Sequence, residues 1–284
     1  MHSDVWSEQL ADGFDPWPAA QVHVEWGPVA AQLAAARGDA IVIVDILSFS
    51  TAVTLAAERG LASYVYSGPE LTARGGAAAV AARIGAVCAV GKRDARPGTI
   101  SLSPASVRSA EVTTGRVLFS SLNGALVVAS ADHAPRLAIG CLRNRRAVAA
   151  CAFEWLHRRE ATRVTIVACG EQWSSVSAAD GMRPCLEDHL GAGAIAESLA
   201  AHGATLSVEA QAAVAVFRQR HDIDLPSLVG GRELIAAGFT EDVALAGQLD
   251  VCEVVPVRDA WQDGRCFRPQ PRAVGKPPAQ AAAT

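Results

Sequence analysis

The sequence predicts an α/β fold, a three-layer αβα arrangement around a mostly parallel sheet. Three observations carry that expectation. From about residue 40, short β-branched apolar runs alternate with longer segments of helical periodicity. The first run, AIVIVDIL (40–47), is continuous rather than alternating, as in a strand buried on both faces. Hydrophobic residues make up 50% and charged residues 19%, a globular balance. Aromatics supply only 5%, so the core must be built from Ala, Val, Leu and Ile.

The elements follow in order. Residues 1–39 read as an N-terminal arm and lead-in segment, irregular over the first 20 residues, where Trp6, Trp17 and two prolines fall. After the first strand, Ser48 or Ser50 can cap the helix STAVTLAAERG, which closes on Gly60 as a C′ glycine. Strand ASYVYS (62–67) precedes a helix over roughly 70–83, and AVCAV (86–90) runs into the loop 91–104. RVLFSS (116–121), a short helix, RLAIG (136–140), a long helix over 144–159 and RVTIVAC (163–169) continue the rhythm. Strands spaced by helices imply right-handed crossovers in one sheet. Beyond residue 186 the pattern is helical, over 186–203, 205–220, 227–237 and 240–249, before a last strand CEVVPV (252–257). One α/β domain over 40–260 is expected, compatible with two similar halves. The Pro- and Ala-rich tail 269–284 reads as disordered.

A net charge of −4 and a pI near 6.0 speak against a nucleic-acid surface. The opening MHSDVWSEQL lacks a basic start and apolar run, and no apolar stretch approaches bilayer length, so a cytoplasmic protein without membrane contact is expected. Seven scattered cysteines without a CxxC pair fit neither a disulfide framework nor a structural zinc site. Nothing here excludes a homo-oligomer.

In a parallel sheet, ligands bind beyond the carboxyl ends of the strands. Four such places stand out. Asp45 interrupts an apolar run and is followed by Ser48, Ser50 and Thr51 at a helix start. It is either a site carboxylate, a helix cap or an arginine partner. Ser120-Ser121-Leu122-Asn123-Gly124 can present amides to an anion, or form an ordinary turn. In Gly140-Cys141-Leu142-Arg143-Asn144, Asn144 is first of all an N-cap. Glu187 and Asp188 either favour a helix dipole or supply oxygen ligands to a hard cation. Gly191 and Gly193 beside them would let that helix pack closely on a neighbour.

Taken in register, these segments resemble the 2-phosphosulfolactate phosphatase family. Its D-V-L-R strand end is matched by Asp45-Ile46-Leu47-Ser48, its G-E-R loop by Gly91-Lys92-Arg93, and its G-N-S-P element by Ser101-Leu102-Ser103-Pro104. T-T-N-G-T is matched by Ser121-Leu122-Asn123-Gly124, and G-S-x-x-N by Gly140 to Asn144. L-E-D-x-x-x-A-G-x-I is matched by Leu186-Glu187-Asp188, Ala192-Gly193 and Ile195. The resemblance covers about 40–257. The departures are Ser48 for arginine, Lys92 for glutamate and Leu102 for asparagine, and serine cannot replace a bidentate phosphate ligand.

The resemblance implies a phosphatase acting with Mg²⁺ on a small phosphorylated metabolite. Asp45, Glu187 and Asp188 would be its metal ligands or general base. Ser50, Thr51, Arg93, Asn123, the Gly124 amide and Asn144 would bind phosphate, with Arg93 or Arg143 replacing the missing positive charge. The competing expectation, raised by the departures, is an inactive anion-binding protein on the same fold. A nucleotide-dependent transferase is the weakest reading, since no GxxxxGK[ST] occurs.

Overall fold

A computed structural model describes residues 20–96, 98–173, 181–219, 224–259 and 265–271. Nine strands form one sheet in the order β1-β7-β2-β6-β10-β11-β3-β5-β4. β1 (Val22–Trp26), β7 (Val164–Ala168), β2 (Ala40–Val44) and β6 (Leu137–Gly140) pair in parallel. β3 (Ala62–Val65), β5 (Arg116–Phe119) and β4 (Val87–Cys88) make a second parallel block. Between the blocks lie β10 (Val254–Arg258) and β11 (Cys266–Pro271), which pair antiparallel with each other and with their outer neighbours. Three successive reversals make the second block run opposite to the first. The expected α/β class with a mostly parallel sheet is what the chain adopts.

The sheet starts earlier and ends later than the sequence reading had it. Residues 22–26 are its edge strand, and helix α1 (Gly27–Ala36) follows directly, Gly27 taking φ 71° and Pro28 opening the helix. Residues 269–271 belong to β11, while 1–19 and 272–284 lie outside the described residues. Helix α2 (Phe49–Glu58) ends as expected, with Gly60 at φ 74°. The single helix read over 70–83 is two, α3 (Gly68–Ala73) and α4 (Ala77–Ile84). Gly75 and Gly76, at φ 86° and 97°, break it.

The remaining helices are α5 (Pro104–Ser109), α6 (Gly124–Ser130), α7 (Arg145–His157), α8 (Leu186–Ala201), α9 (Val208–Arg218), α10 (Val229–Ala236) and α11 (Thr240–Ala246). All five residues of β2 are buried, with Val42 and Val44 packing into one cluster and Ile41 and Ile43 into another. That two-sided burial is the physical content of the continuous run AIVIV. The α8 glycines serve close packing: a Cβ on Gly193 would overlap the Ala213 backbone of α9, and one on Gly191 would press on Ile46 and Val44. Among the described residues no helix is long and apolar enough to cross a membrane.

Candidate active site

The carboxyl end of β2 meets the ends of β7 and the start of α8. The join is made by hydroxyls and carboxylates, because a buried strand end leaves backbone groups without partners. Ser50 Oγ accepts from the Asp45 amide at 2.8 Å and donates to the Ile43 carbonyl at 3.3 Å. Thr51 Oγ1 donates to the Ile46 carbonyl at 2.8 Å. Asp188 reaches across from α8, its Oδ1 accepting from the Ile46 amide (2.8 Å) and its Oδ2 from the Gly170 amide (2.9 Å). Asp45 in turn accepts from the Phe49 amide (3.3 Å) and, with its other oxygen, from the Gly124 amide (3.1 Å). Gly124 must lack a side chain, since a Cβ there would overlap the Phe49 ring.

Asp45 and Asp188 line one cavity of about 100 Å³, whose other walls include Glu171, Glu187, Asn123 and Arg183. Asn123 is fixed there, Nδ2 donating to Glu171 at 3.0 Å and Oδ1 accepting from the Gln172 amide at 3.1 Å. Burial pushes the Asp45 carboxyl up to about 7. Glu171 repels its charge further, while the two amides and Lys92 oppose the rise. Asp188 is pushed well above the ordinary range by burial, then by Asp45 and Glu187. Glu187 rises for the same first reason. A much larger cavity, about 380 Å³, lies between Leu142, Phe217, Leu225 and Leu249. Its walls are mainly aliphatic and gather no acid–base cluster.

Arg183 lines this acidic pocket and Lys92 acts on Asp45 from outside it, and neither was singled out as a phosphate ligand from the sequence. Lys92, on a 3₁₀ turn over Lys92–Asp94, donates to Ser48 Oγ at 2.5 Å and lies 3.6 Å from Asp242. Arg183 ends β9 (Met182–Arg183), which pairs with β8 (Glu171–Gln172) at the cavity rim. Its two terminal nitrogens face Glu233 at a long 3.4 Å each, and its Nε is buried without a hydrogen-bond partner. An unpaired buried donor carries a desolvation cost that an anion would remove.

The expected residues therefore divide. Asp45, Glu187, Asp188 and Asn123 line the cavity, while the Gly124 amide is spent on Asp45. Ser50 and Thr51 do not face it, because their hydroxyls are spent on the strand end. Asn144 is a staple inside the fold, accepting from the Cys141 amide at 2.9 Å and donating to the Val254 carbonyl at 3.2 Å. It caps no helix amide. Arg93 is exposed beside the buried-facing Lys92. Arg143 is tied to both oxygens of Glu58 at 3.0 and 3.1 Å, so it has no fork left for phosphate. Asp188, with both oxygens on the Ile46 and Gly170 amides, holds the strand ends in position.

Among the described residues no group of three His, Cys, Asp or Glu is placed to hold a metal. Mg²⁺ needs less than such a cage, since it commonly takes one or two carboxylates and completes its octahedron with water and phosphate oxygens. Asp45, Glu171 and Glu187 share the cavity, and the Glu171 charge adds to the rise that burial gives the other two carboxyls, a condition that a hard cation relieves. The donor set fits Mg²⁺ in that limited sense. Glu187 depends on Gly230, where an added Cβ would overlap its carboxylate. Gly230→Ala should therefore cost about 1–3 kcal/mol of thermal stability and lower activity, by displacing Glu187 into the cavity. Unchanged steady-state kinetics would show that Glu187 takes no part.

A search of curated proteins returns no match to the chain. The sequence profile of the family described as 2-phosphosulpholactate phosphatase matches residues 29–260, a span that holds every strand end of the cavity. With that profile matching over most of its length, the chain belongs to the 2-phosphosulpholactate phosphatase family.

Proposed function

We propose that this protein hydrolyses a small phosphate monoester with the help of Mg²⁺, as a 2-phosphosulfolactate phosphatase-like enzyme. One observation carries the reading: in a member of this family, a buried carboxyl poised near neutrality shares a cavity with an arginine whose Nε lacks a partner. Arg183 would take the phosphate oxygens, exchanging its long contact with Glu233 for charge-assisted bonds. Asp45 takes up a proton near pH 7 when no metal is bound, and would give that proton up on binding Mg²⁺. Mg²⁺, when bound by Asp45 and Glu187, would supply positive charge to the phosphoryl oxygens as they develop negative charge.

Arg183→Gln is expected to raise KM for a phosphate monoester by about 10- to 100-fold, the loss of one or two bonds to a charged group. Steady-state kinetics on a panel of phosphate monoesters, with Mg²⁺ and with a chelator, tests the whole reading. Phosphate release that needs Mg²⁺ supports it, and release no faster than that of Asp45→Asn ends it. A binding-only protein is the second reading, favoured by the amides that already occupy both oxygens of Asp45. Tight binding of inorganic phosphate by calorimetry, without turnover of any ester, would select it.

A further inference from the structure

Three hydroxyls follow Asp45, and two of them are consumed by the fold. Ser48 is different. It stands at the N-terminal edge of α2 but its side chain caps no helix amide. It directly follows Leu47, which lines the acidic cavity. Its Oγ lies 2.5 Å from Lys92 Nζ, brought in from a loop 44 residues away.

Lys92 is itself oriented. Its Nζ sits 5.3 Å from the centre of the Phe239 ring and 3.6 Å from Asp242 Oδ2. Asp242 is buried and held by its other oxygen, which accepts from Ser103 Oγ at 2.6 Å and from the Ala105 amide at 3.0 Å. Its Oδ2 has no hydrogen bond and meets Lys92 through charge alone. The series Ser48, Lys92, Asp242, Ser103 is thus hydroxyl, amine, orienting carboxylate and clamp. That order of parts is what an activated hydroxyl nucleophile requires.

We infer that Ser48 is the nucleophile of this site, with Lys92 as its base and Asp242 as a positioning residue, and that the acceptor is a phosphoryl group. The phosphoryl acceptor rests on the phosphatase reading; the activated serine does not. In the first step a bond forms from Ser48 Oγ to phosphorus while the bond to the ester oxygen breaks. The hydroxyl proton passes to the Lys92 amine, whose ammonium then faces Asp242. The departing alkoxide takes a proton from water. The hydroxide so formed attacks phosphorus, the bond to Oγ breaks, and Lys92 returns its proton to Ser48. Burial lowers the basicity of Lys92, outweighing the attraction of Asp242 and Asp45, which favours the amine that the first step needs.

A serine that only fills a hydrogen bond to a lysine would react no faster than any other hydroxyl of the protein. The discriminating experiment exposes the full-length protein to methanesulfonyl fluoride, a small tetrahedral electrophile, and maps the adduct by peptide mass. The expected result is one sulfonylated residue, Ser48, with labelling about 100-fold slower in Lys92→Met. No adduct on Ser48 of the unmutated protein, or equal labelling of a folded Lys92→Met, overturns the inference. The unmutated protein alone decides the first point, so a variant that fails to fold does not block the test. Phosphate release is measured in parallel. Release without Ser48 labelling sinks the nucleophile and leaves the phosphatase reading standing. Labelling without release does the reverse.

Discussion

Asp45→Asn is expected to lower kcat/KM for phosphate release by about 10²- to 10³-fold, the range for removing one electrostatic support of the transition state. The amide keeps the shape of the side chain and can still accept one of the two backbone amides now held by Asp45. What it loses is titration and negative charge. The same pair of proteins tests the burial of that charge through stability. The folded-state proton affinity of Asp45 is raised from 3.8 to about 7, chiefly by burial. Between those two pH values the folded chain holds a proton that the unfolded chain has released. The unmutated protein should therefore lose stability relative to Asp45→Asn as pH rises from about 4 to about 7, by at most roughly 1.4 kcal/mol per pH unit. Below and above that window the difference should be flat. Thermal melts of both proteins across it would refute the buried-charge account if their difference did not change with pH.

Asp188→Ala should cost more stability than any other single change at the site, about 2–5 kcal/mol. Its two oxygens satisfy the Ile46 and Gly170 amides, which end β2 and β7, and both amides would be left buried without partners. Each such group costs on the order of 1–3 kcal/mol. Part of that loss is returned because a buried carboxyl with strongly raised proton affinity is itself unfavourable when charged. Chemical denaturation measures the net effect. A loss below about 1 kcal/mol would mean that the strand ends hold their positions without this brace, and Asp188 would then be free for another role.

Much of this was legible in the chain, for reasons that differ by residue. Asp45 announced itself as a charge inside AIVIVDIL, where two-sided burial leaves no innocent place for a carboxylate. Glu187 and Asp188 stood out as paired acids at a helix start, and both reach the cavity. Their division of labour was hidden, because the Ile46 amide that Asp188 holds lies 142 residues away. Lys92 and Arg93 are neighbours on a tight turn, and only the fold decides which one faces inward. Arg183 belongs to a two-residue strand, too short to leave any periodic signal. Residues 22–26 carried a weak alternation of apolar and polar residues, overshadowed by the tryptophans and prolines before them. The reversal of strand direction at β10 and β11 depends on pairings that no local pattern encodes.

The central claim is that phosphate binds between Asp45 and Arg183. A crystal grown with inorganic phosphate and Mn²⁺, whose anomalous signal marks the Mg²⁺ position, tests it most directly. The account predicts an anion on Arg183 with the metal on Asp45 and Glu187, and Glu233 released from its contact with the guanidinium. Phosphate at Arg93 or Arg143, or an ordered metal away from the cavity of Asp45, would contradict it.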